Sequence, residues 1–334
     1  MKLNKLLVLG AALATLSGCG NTPDQPETKG VEVNSGIGYT VALTASSGQV
    51  DVTVAYAAFD KDGKVVDARF DCLQVKCVKT GDEWAVGANK GTNDNGVKSK
   101  LELGKDYAMA GKSALGKEVD LQIEALADWT VGKTVAEVKA GIEGEDLKAV
   151  CSIKTGDYVE ALEMAFNSKS AAKSTVDGAK AGVGMTSSLK ASSGELTVNV
   201  AGAMVTGTTV YAAAIDEIVV PVTATTEGEG DAATTTYALG EAKYVANGKV
   251  VSKAQLKDGY AMAGKATKGE WYVQADAFEA AVEGKEIATI KGQVGDNGKA
   301  TEGSDLAGAA SITVVGYVNA LAEAVAYAAL EHVG

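Results

Sequence analysis

Residues 99–112 read SKLELGKDYAMAGK, and residues 252–265 read SKAQLKDGYAMAGK. Nine of these fourteen positions are identical, which is well beyond chance for two stretches of one chain. A second pair lies upstream in each copy, as GIGYTVALTASSG over 36–48 and GVGMTSSLKASSG over 182–194. The chain is therefore an internal duplication, and its fold is expected to be one unit written twice.

Further matches carry the duplication along the chain. DL and YVEAL within 146–162 return at the same spacing as DL and YVNAL within 305–321. We place repeat one at 35–168, a short polar linker at 169–175 and repeat two at 176–334. The 334 residues are 46% hydrophobic and 22% charged, a globular composition with enough chain for two cores.

Each repeat places strands before helices. Residues 49–59 alternate with Val50, Val52 and Val54 on one face, which is typical of a half-buried strand. The other predicted elements of repeat one are a strand at 64–72, a helix at 118–129, a capping box at 134–137, a strand at 149–153 and a closing helix with Tyr158, Leu162, Ala165 and Phe166 on one stripe. Those of repeat two are strands at 195–205, 209–222 and 309–315 and a helix at 270–282. The order predicts an α+β fold, a tandem duplication of an antiparallel sheet packed against a few helices.

The N-terminus indicates where the chain works. Residues 1–18 combine Lys2 and Lys5 with a short apolar stretch and small residues, as secretory signal peptides do. The LSGC sequence that ends at Cys19 resembles a bacterial lipobox, which implies cleavage before Cys19 and lipid on its sulfur. The alternative is an ordinary signal peptide with a chance cysteine. With 19–34 as lipid anchor and tether, the mature protein is expected outside the cytoplasmic membrane, anchored to it by lipid.

Composition and residue inventory exclude several kinds of chemistry. The net charge is −12 with a single arginine, Arg69, so binding to nucleic acid through phosphate contacts is not expected. The only histidine is His332, which argues against a Ser–His–Asp hydrolase and a histidine-based zinc site. Asx-rich turns at 60–63, 93–96 and 296–298 lack the ligand pattern of an EF-hand, so no metal site is predicted. We therefore expect a binding protein rather than an enzyme.

Three cysteines, Cys72, Cys77 and Cys151, lie in repeat one, and repeat two has none. Because the repeats should fold alike, no disulfide is essential to the architecture. A bridge from Cys72 or Cys77 to Cys151 and a set of buried thiols both remain open.

The segment that the two repeats share most closely is the candidate binding site. Its loop offers free backbone N–H groups, a tyrosine ring, a polarizable thioether and a lysine charge, which together suit a planar anionic ligand. The residues concerned are Tyr107, Met109 and Lys112 in repeat one and Tyr260, Met262 and Lys265 in repeat two. The alternative is core packing, with Tyr and Met as plugs and Gly required by the backbone.

Gln122 and Gln274 are a second shared feature. Each falls three residues after a large apolar residue and so shares the helix face turned to the core. A semi-buried glutamine needs a partner, which is either the backbone or a ligand.

A family resemblance adds to this reading. GKVVDA, KLELGKDYAM and VGKTVAEV occur in this order in repeat one, which resembles surface lipoproteins of anaerobic, mostly Gram-positive gut bacteria over 31–168 and, more loosely, 176–333. The layout is also distantly similar to the FMN-binding domains of electron-transfer lipoproteins, whose signature is D-x-x-S-G-A-T-x-(T/S). Here DLKAVCS ends at Ser152 and DLAGAAS at Ser311, and Cys151 and Ala310 stand at the acceptor threonine position. The resemblance thus implies non-covalent flavin binding, or none, rather than covalent attachment.

Two functions follow as expectations. The first is a surface lipoprotein whose two modules bind FMN or a similar molecule non-covalently and relay electrons, with sites near Tyr107, Met109, Lys112, Gln122 and Ser152 and near Tyr260, Met262, Lys265, Gln274 and Ser311. The second is a structural or adhesive lipoprotein that holds a protein partner or cell-wall glycan, for which the Thr-rich stretch at 223–237 is suited.

Overall fold

The computed structural model describes residues 31–170, 173–175, 178–229 and 233–329. The predicted signal peptide at 1–18 and the predicted lipid attachment at Cys19 lie outside these residues. Among the described residues, no helix is long and apolar enough to cross a membrane.

Repeat one begins with long strands and ends with helices. Its strands are β1 (Val31–Thr44), β2 (Gln49–Phe59), β3 (Val65–Thr80), β4 (Glu83–Val86), β5 (Thr92–Asn93) and β6 (Gly96–Val97). Its helices are α1 (Lys100–Leu103), α2 (Val119–Thr130), α3 (Val135–Gly141), α4 (Glu145–Lys148) and α5 (Gly156–Ser168), with a 3₁₀ turn over Gly104–Tyr107. A short strand, β7 (Lys173–Thr175), precedes repeat two.

Repeat two follows the same order. Its strands are β8 (Lys180–Leu189), β9 (Glu195–Thr206), β10 (Thr209–Glu227), β11 (Thr234–Leu239), β12 (Val245–Ala246), β13 (Lys249–Val250) and β14 (Lys285–Glu286). Its helices are α6 (Lys253–Leu256), α7 (Trp271–Val282), α8 (Ile287–Lys291), α9 (Asp305–Ala309) and α10 (Val315–Ala328), with a 3₁₀ turn over Lys257–Tyr260. The correspondence of the two series confirms the predicted α+β duplication.

The two main sheets are antiparallel and pack face to face. One has the order β4-β3-β2-β1-β7 and the other β11-β10-β9-β8, with β14 beside β10. Alternate side chains of β2 face opposite sides of its sheet. Val50, Val52 and Val54 enter a core shared with Val198 and Val200 of repeat two. Ala55, Ala57 and Phe59 face the helices of their own repeat instead. The molecule therefore has four layers, helix–sheet–sheet–helix, with one core between the repeats and one under each helical layer.

Two strands expected from the sequence were wrong. Residues 149–153 and 309–315 form no strand, because Cys151 N–H donates back to Leu147 C=O and Ala310 N–H to Leu306 C=O, which closes helical turns. Only parts of the predicted tether and linker are among the described residues, and there Val31–Val33 pair with Lys173–Thr175 as antiparallel strands.

The repeats also exchange polar contacts across their junction. Ser187 N–H donates to Asn95 C=O at 2.8 Å, and Val97 N–H donates to Ser187 Oγ at 3.0 Å. A further contact joins Ser252 of repeat two to Tyr39 of repeat one, where Ser252 N–H donates to Tyr39 Oη at 2.6 Å. The two repeats thus form an intramolecular pair with a common core.

Glu323 makes this junction sensitive to pH. Its carboxylate accepts from Asn95 Nδ2 at 2.6 Å and from Met185 N–H at 3.1 Å. Burial, with the nearby Glu102 and Asp71 carboxylates, raises its pKa to about 7 from 4.5. The folded state therefore binds this proton more tightly than the unfolded state, so the contribution is stabilising below about pH 4.5 and is lost as pH rises through 7.

We expect Glu323→Gln to flatten the dependence of stability on pH. The fall in unfolding free energy between pH 4.5 and 8 should shrink by about 2 kcal/mol, a value reduced for the partial exposure of the group. Urea unfolding at both pH values measures it, with the exposed Glu241→Gln as control. An unchanged slope in Glu323→Gln would show that folding does not raise the pKa of this carboxyl.

Candidate functional site

The shared segment folds back on the helix that follows it. Ser99 caps α1 through a capping box, and the 3₁₀ turn ends at Ala108, whose φ of 57° is left-handed. Met109 N–H then donates to Glu118 Oε2 at 2.7 Å, just before α2. Ser252, Ala261, Met262 and Glu270 repeat this arrangement in repeat two, with 2.8 Å for the last bond. Part of the retained sequence is thus explained by a local backbone path.

The last two residues of the shared segment, Gly and Lys in both repeats, are less constrained by backbone and packing than the packing interpretation predicts. Gly111 and Gly264 have no left-handed φ, and a Cβ at either would meet no atom within 4 Å among the described residues. Lys112 and Lys265 are exposed. Backbone and packing therefore do not require Gly-Lys here.

Gln122 and Gln274 are fully buried and are held by the protein itself. Gln122 Oε1 accepts from Ser152 N–H at 2.7 Å and from Ser152 Oγ at 2.8 Å, and Nε2 donates to Lys117 C=O at 2.9 Å. Gln274 makes the same bonds to Ser311, at 2.7 and 3.1 Å, and to Gly269 C=O at 3.0 Å. Both glutamines therefore position the serine segment behind the shared loop.

Three of the predicted residues of repeat one meet at one cavity. Tyr107, Met109 and Ser152 line a space of about 380 Å³, within the range of small-molecule sites. The other lining residues are Asp51, Thr53, Cys72, Gln74, Lys100, Val119, Ile153, Lys154, Asp157 and Tyr158. A second cavity of about 290 Å³ adjoins it and shares Cys72, Gln74, Lys100 and Tyr107 with it. Gln122 lies behind the Ser152 wall, and Lys112 does not line either space.

Lysines surround the Tyr107 ring. Lys90 Nζ lies 4.2 Å from the ring centroid and Lys100 Nζ 5.7 Å from it, while the Tyr107 hydroxyl donates to Gln74 Oε1 at 2.9 Å. In the part of the chain that the structure describes, Lys100 forms no ion pair with a carboxylate. Burial lowers the pKa of Lys100, but Cys72, Tyr107 and Asp51 outweigh it and raise the pKa from its ordinary value, so the ammonium is charged.

The cysteines of repeat one are buried free thiols. Burial raises the pKa of Cys72 to about 11 against the opposing effect of Lys100, so its sulfur stays protonated at neutral pH. Burial also raises the pKa of Cys151. Cys72 therefore adds no negative charge to the cavity wall.

The equivalent side chains of repeat two bond to one another. Lys253 Nζ lies 2.6 Å from Glu217 Oε1, the Tyr317 hydroxyl donates to Glu217 Oε2, and Trp271 Nε1 donates to the Tyr317 hydroxyl at 3.1 Å. Tyr260 and Met262 pack against the helical core of their own repeat, as Tyr107 and Met109 do in repeat one. The structure thus unites the predicted residues around a cavity in repeat one and not in the same way in repeat two.

Sequence reasoning missed Lys100, Tyr158 and the role of Cys72. A signal for two of them was present, since Lys100 and Tyr158 are identical to Lys253 and Tyr317 in the repeat alignment. Comparison of the chain with protein-family models, with curated proteins and with solved structures found no match. Its function is therefore inferred from its own side chains.

Proposed function

We propose that the chain is an extracytoplasmic, lipid-anchored protein whose repeat one binds a planar anionic molecule of the FMN type non-covalently. The observation that carries this proposal is the convergence of Tyr107, Met109 and Ser152 on one cavity beside Lys100. An aromatic face, a thioether and a few placed polar groups are the usual lining of a small-molecule site.

The side chains present suit such a group. The half-buried Tyr107 ring and Met109 offer apolar surface to a flat ring. Ser152 and Gln74 add polar wall, and their side chains are already hydrogen-bonded to Gln122 and to Tyr107. Lys100 and Lys154 offer positive charge for an anionic tail. When bound, a flavin supplies reversible one- and two-electron chemistry, which suits electron relay at a cell surface.

Non-covalent binding is also supported by the residue at the acceptor position of the resembled signature. Cys151 is 3% exposed, it packs in the helical core of repeat one, and burial raises the pKa of its thiol. A protonated, buried sulfur is a poor nucleophile toward a ligand in the cavity.

The second candidate, adhesion, has one structural feature in its favour. The β10–β11 hairpin carries exposed threonines, and Thr226 and Thr235 are joined through their hydroxyls at 2.9 Å. A polar edge of this kind suits a glycan or a protein partner.

The test is FMN binding to the mature chain from residue 20 onward. We expect quenching of FMN fluorescence on titration and a melting temperature that rises with FMN concentration. Tyr107→Ala should weaken binding about tenfold, which corresponds to ~1.4 kcal/mol. Tyr260→Ala, the matched change in repeat two, should leave the affinity unchanged.

Absence of quenching together with an unmoved melting temperature would remove the flavin proposal. Sedimentation of the chain with purified cell-wall material would then test the adhesive candidate.

A further inference from the structure

Repeat two serves as an internal comparison for the cavity of repeat one. Asp71 Oδ1 accepts from Cys72 N–H at 2.7 Å and from Leu101 N–H at 3.1 Å. Asp216 Oδ1 accepts from Glu217 N–H and Ala254 N–H at the same two distances. Cys72 and Glu217 therefore hold equivalent positions on β3 and β10.

Two further pairs of residues hold equivalent positions in the helices of the two repeats. Lys100 and Lys253 each follow the serine that caps a short helix. Tyr158 and Tyr317 each occupy the third position of the closing helix. The ammonium and the phenol are thus common to the repeats, and the side chain between them differs.

In repeat two a carboxylate fills the space between these groups. Glu217 bonds to both the Lys253 ammonium and the Tyr317 hydroxyl, and the side chains of Glu217 and Lys253 are only 12% and 11% exposed. Trp271 closes the same region, because it is 1% exposed and donates to Tyr317.

Repeat one keeps the lysine and the tyrosine, but it has Cys72 where repeat two has the carboxylate of Glu217. Tyr158 is 3% exposed, and within the described residues its hydroxyl has no hydrogen-bond partner. Lys100 Nζ lies 6.0 Å from the centroid of the same ring. Cys72 is shorter than Glu217, and Val119, the first residue of α2, is smaller than Trp271, the first residue of α7. Cys72 and Val119 line the cavity together with Lys100 and Tyr158. A buried hydroxyl and an ammonium that face one space form a receptor for an anion.

We propose that repeat one is an anion receptor in which a carboxylate or phosphate group of the ligand lies between Lys100 and Tyr158, where repeat two places its own Glu217. Repeat two is occupied by its own side chain, so the chain binds one ligand. This inference takes its cavity from the proposed function but does not depend on a flavin ring. Of the other charged groups at the cavity, Lys154 favours an anion, whereas the Asp51 and Asp157 carboxylates oppose it.

Cys72→Glu rebuilds the arrangement of repeat two and is the central variant. The probes are FMN, riboflavin, which has the same ring without phosphate, and inorganic phosphate. We expect the wild-type chain to bind FMN at least tenfold more tightly than riboflavin, with one FMN per chain by calorimetry. Inorganic phosphate should raise its melting temperature. Cys72→Glu should lose both the phosphate response and the preference for FMN.

Two further variants separate the anion site from general effects. Lys100→Gln should also abolish the phosphate response, and it decides the matter if Cys72→Glu does not fold. Glu217→Gln, which alters the self-occupied site of repeat two, should leave FMN and phosphate binding unchanged.

The outcomes distinguish this inference from the flavin proposal. If no flavin binds but phosphate stabilises the wild type and not Lys100→Gln, the anion receptor stands without the flavin. Equal binding of FMN and riboflavin with no response to phosphate overturns the receptor and leaves the flavin proposal intact. A full phosphate response in folded Cys72→Glu or in Lys100→Gln also overturns it, as does a stoichiometry of two FMN per chain.

Discussion

Gly184→Ala is expected to destabilise the chain by about 3 kcal/mol or more, because the added methyl group would overlap the backbone of the closing helix. A Cβ at Gly184 would lie 2.1 Å from Ala320 C=O, a backbone atom of α10 that cannot move away alone. The same contact recurs in repeat one, where a Cβ at Gly38 would lie 2.2 Å from Ala161 C=O. Strand and closing helix are therefore in backbone contact in both repeats.

The measurement is urea unfolding followed by circular dichroism. The control is Gly264→Ala in the shared loop, where a Cβ meets no described atom within 4 Å and φ is not left-handed. That variant should stay within about 0.5 kcal/mol of wild type. If Gly184→Ala were as stable as Gly264→Ala, the helix would not lie on the strand as described.

Elements with a strong local pattern could be predicted from the sequence. The strand predicted at 49–59 coincides with β2, because its alternating valines face a buried layer and turns bound it. The capping box at Thr134 is also confirmed, since Thr134 Oγ1 accepts from Glu137 N–H. In these segments one short-range cause determines the structure.

Elements that depend on distant partners could not be predicted. The Gly-x-Gly pairs at 36–38 and 182–184 were visible as a repeat, but their close approach to a helix depends on residues more than a hundred positions away. The short apolar runs at 149–153 and 309–315 resembled strands, and they fold as turns beneath the helices. A run of this length has too few residues for periodicity to separate the two structures.

The cavity shows a different limit of the duplication argument. Shared residues drew attention to Tyr107 and Met109, which do line the cavity. The repeats differ at two positions of its wall, where Cys72 stands against Glu217 and Val119 against Trp271. The residues that the repeats share therefore indicate where the site lies. The residues that differ distinguish the cavity of repeat one from the bonded side chains of repeat two.

Gln122→Leu is expected to cost about 3 kcal/mol of unfolding free energy and also to weaken ligand binding. Leucine has a similar size but leaves Ser152 N–H and Lys117 C=O without the partners they now have at 2.7 and 2.9 Å. Both bonds are partly buried, and an unpaired group of this kind costs roughly 1–3 kcal/mol, here nearer the lower figure. Because Ser152 forms part of the cavity wall, its release should reduce FMN affinity as well.

Gln274→Leu is the matched variant that separates these two effects. It removes the same kind of bonds, to Ser311 N–H and Gly269 C=O, from an equally buried helix position. We expect a similar loss of stability in urea unfolding. The FMN affinity in the fluorescence titration should be unchanged, because Ser311 belongs to repeat two, where Glu217 takes the place of a ligand. If both variants lost affinity equally, ligand binding would depend on the shared core rather than on repeat one. A loss confined to Gln122→Leu would locate it at the wall that Ser152 forms.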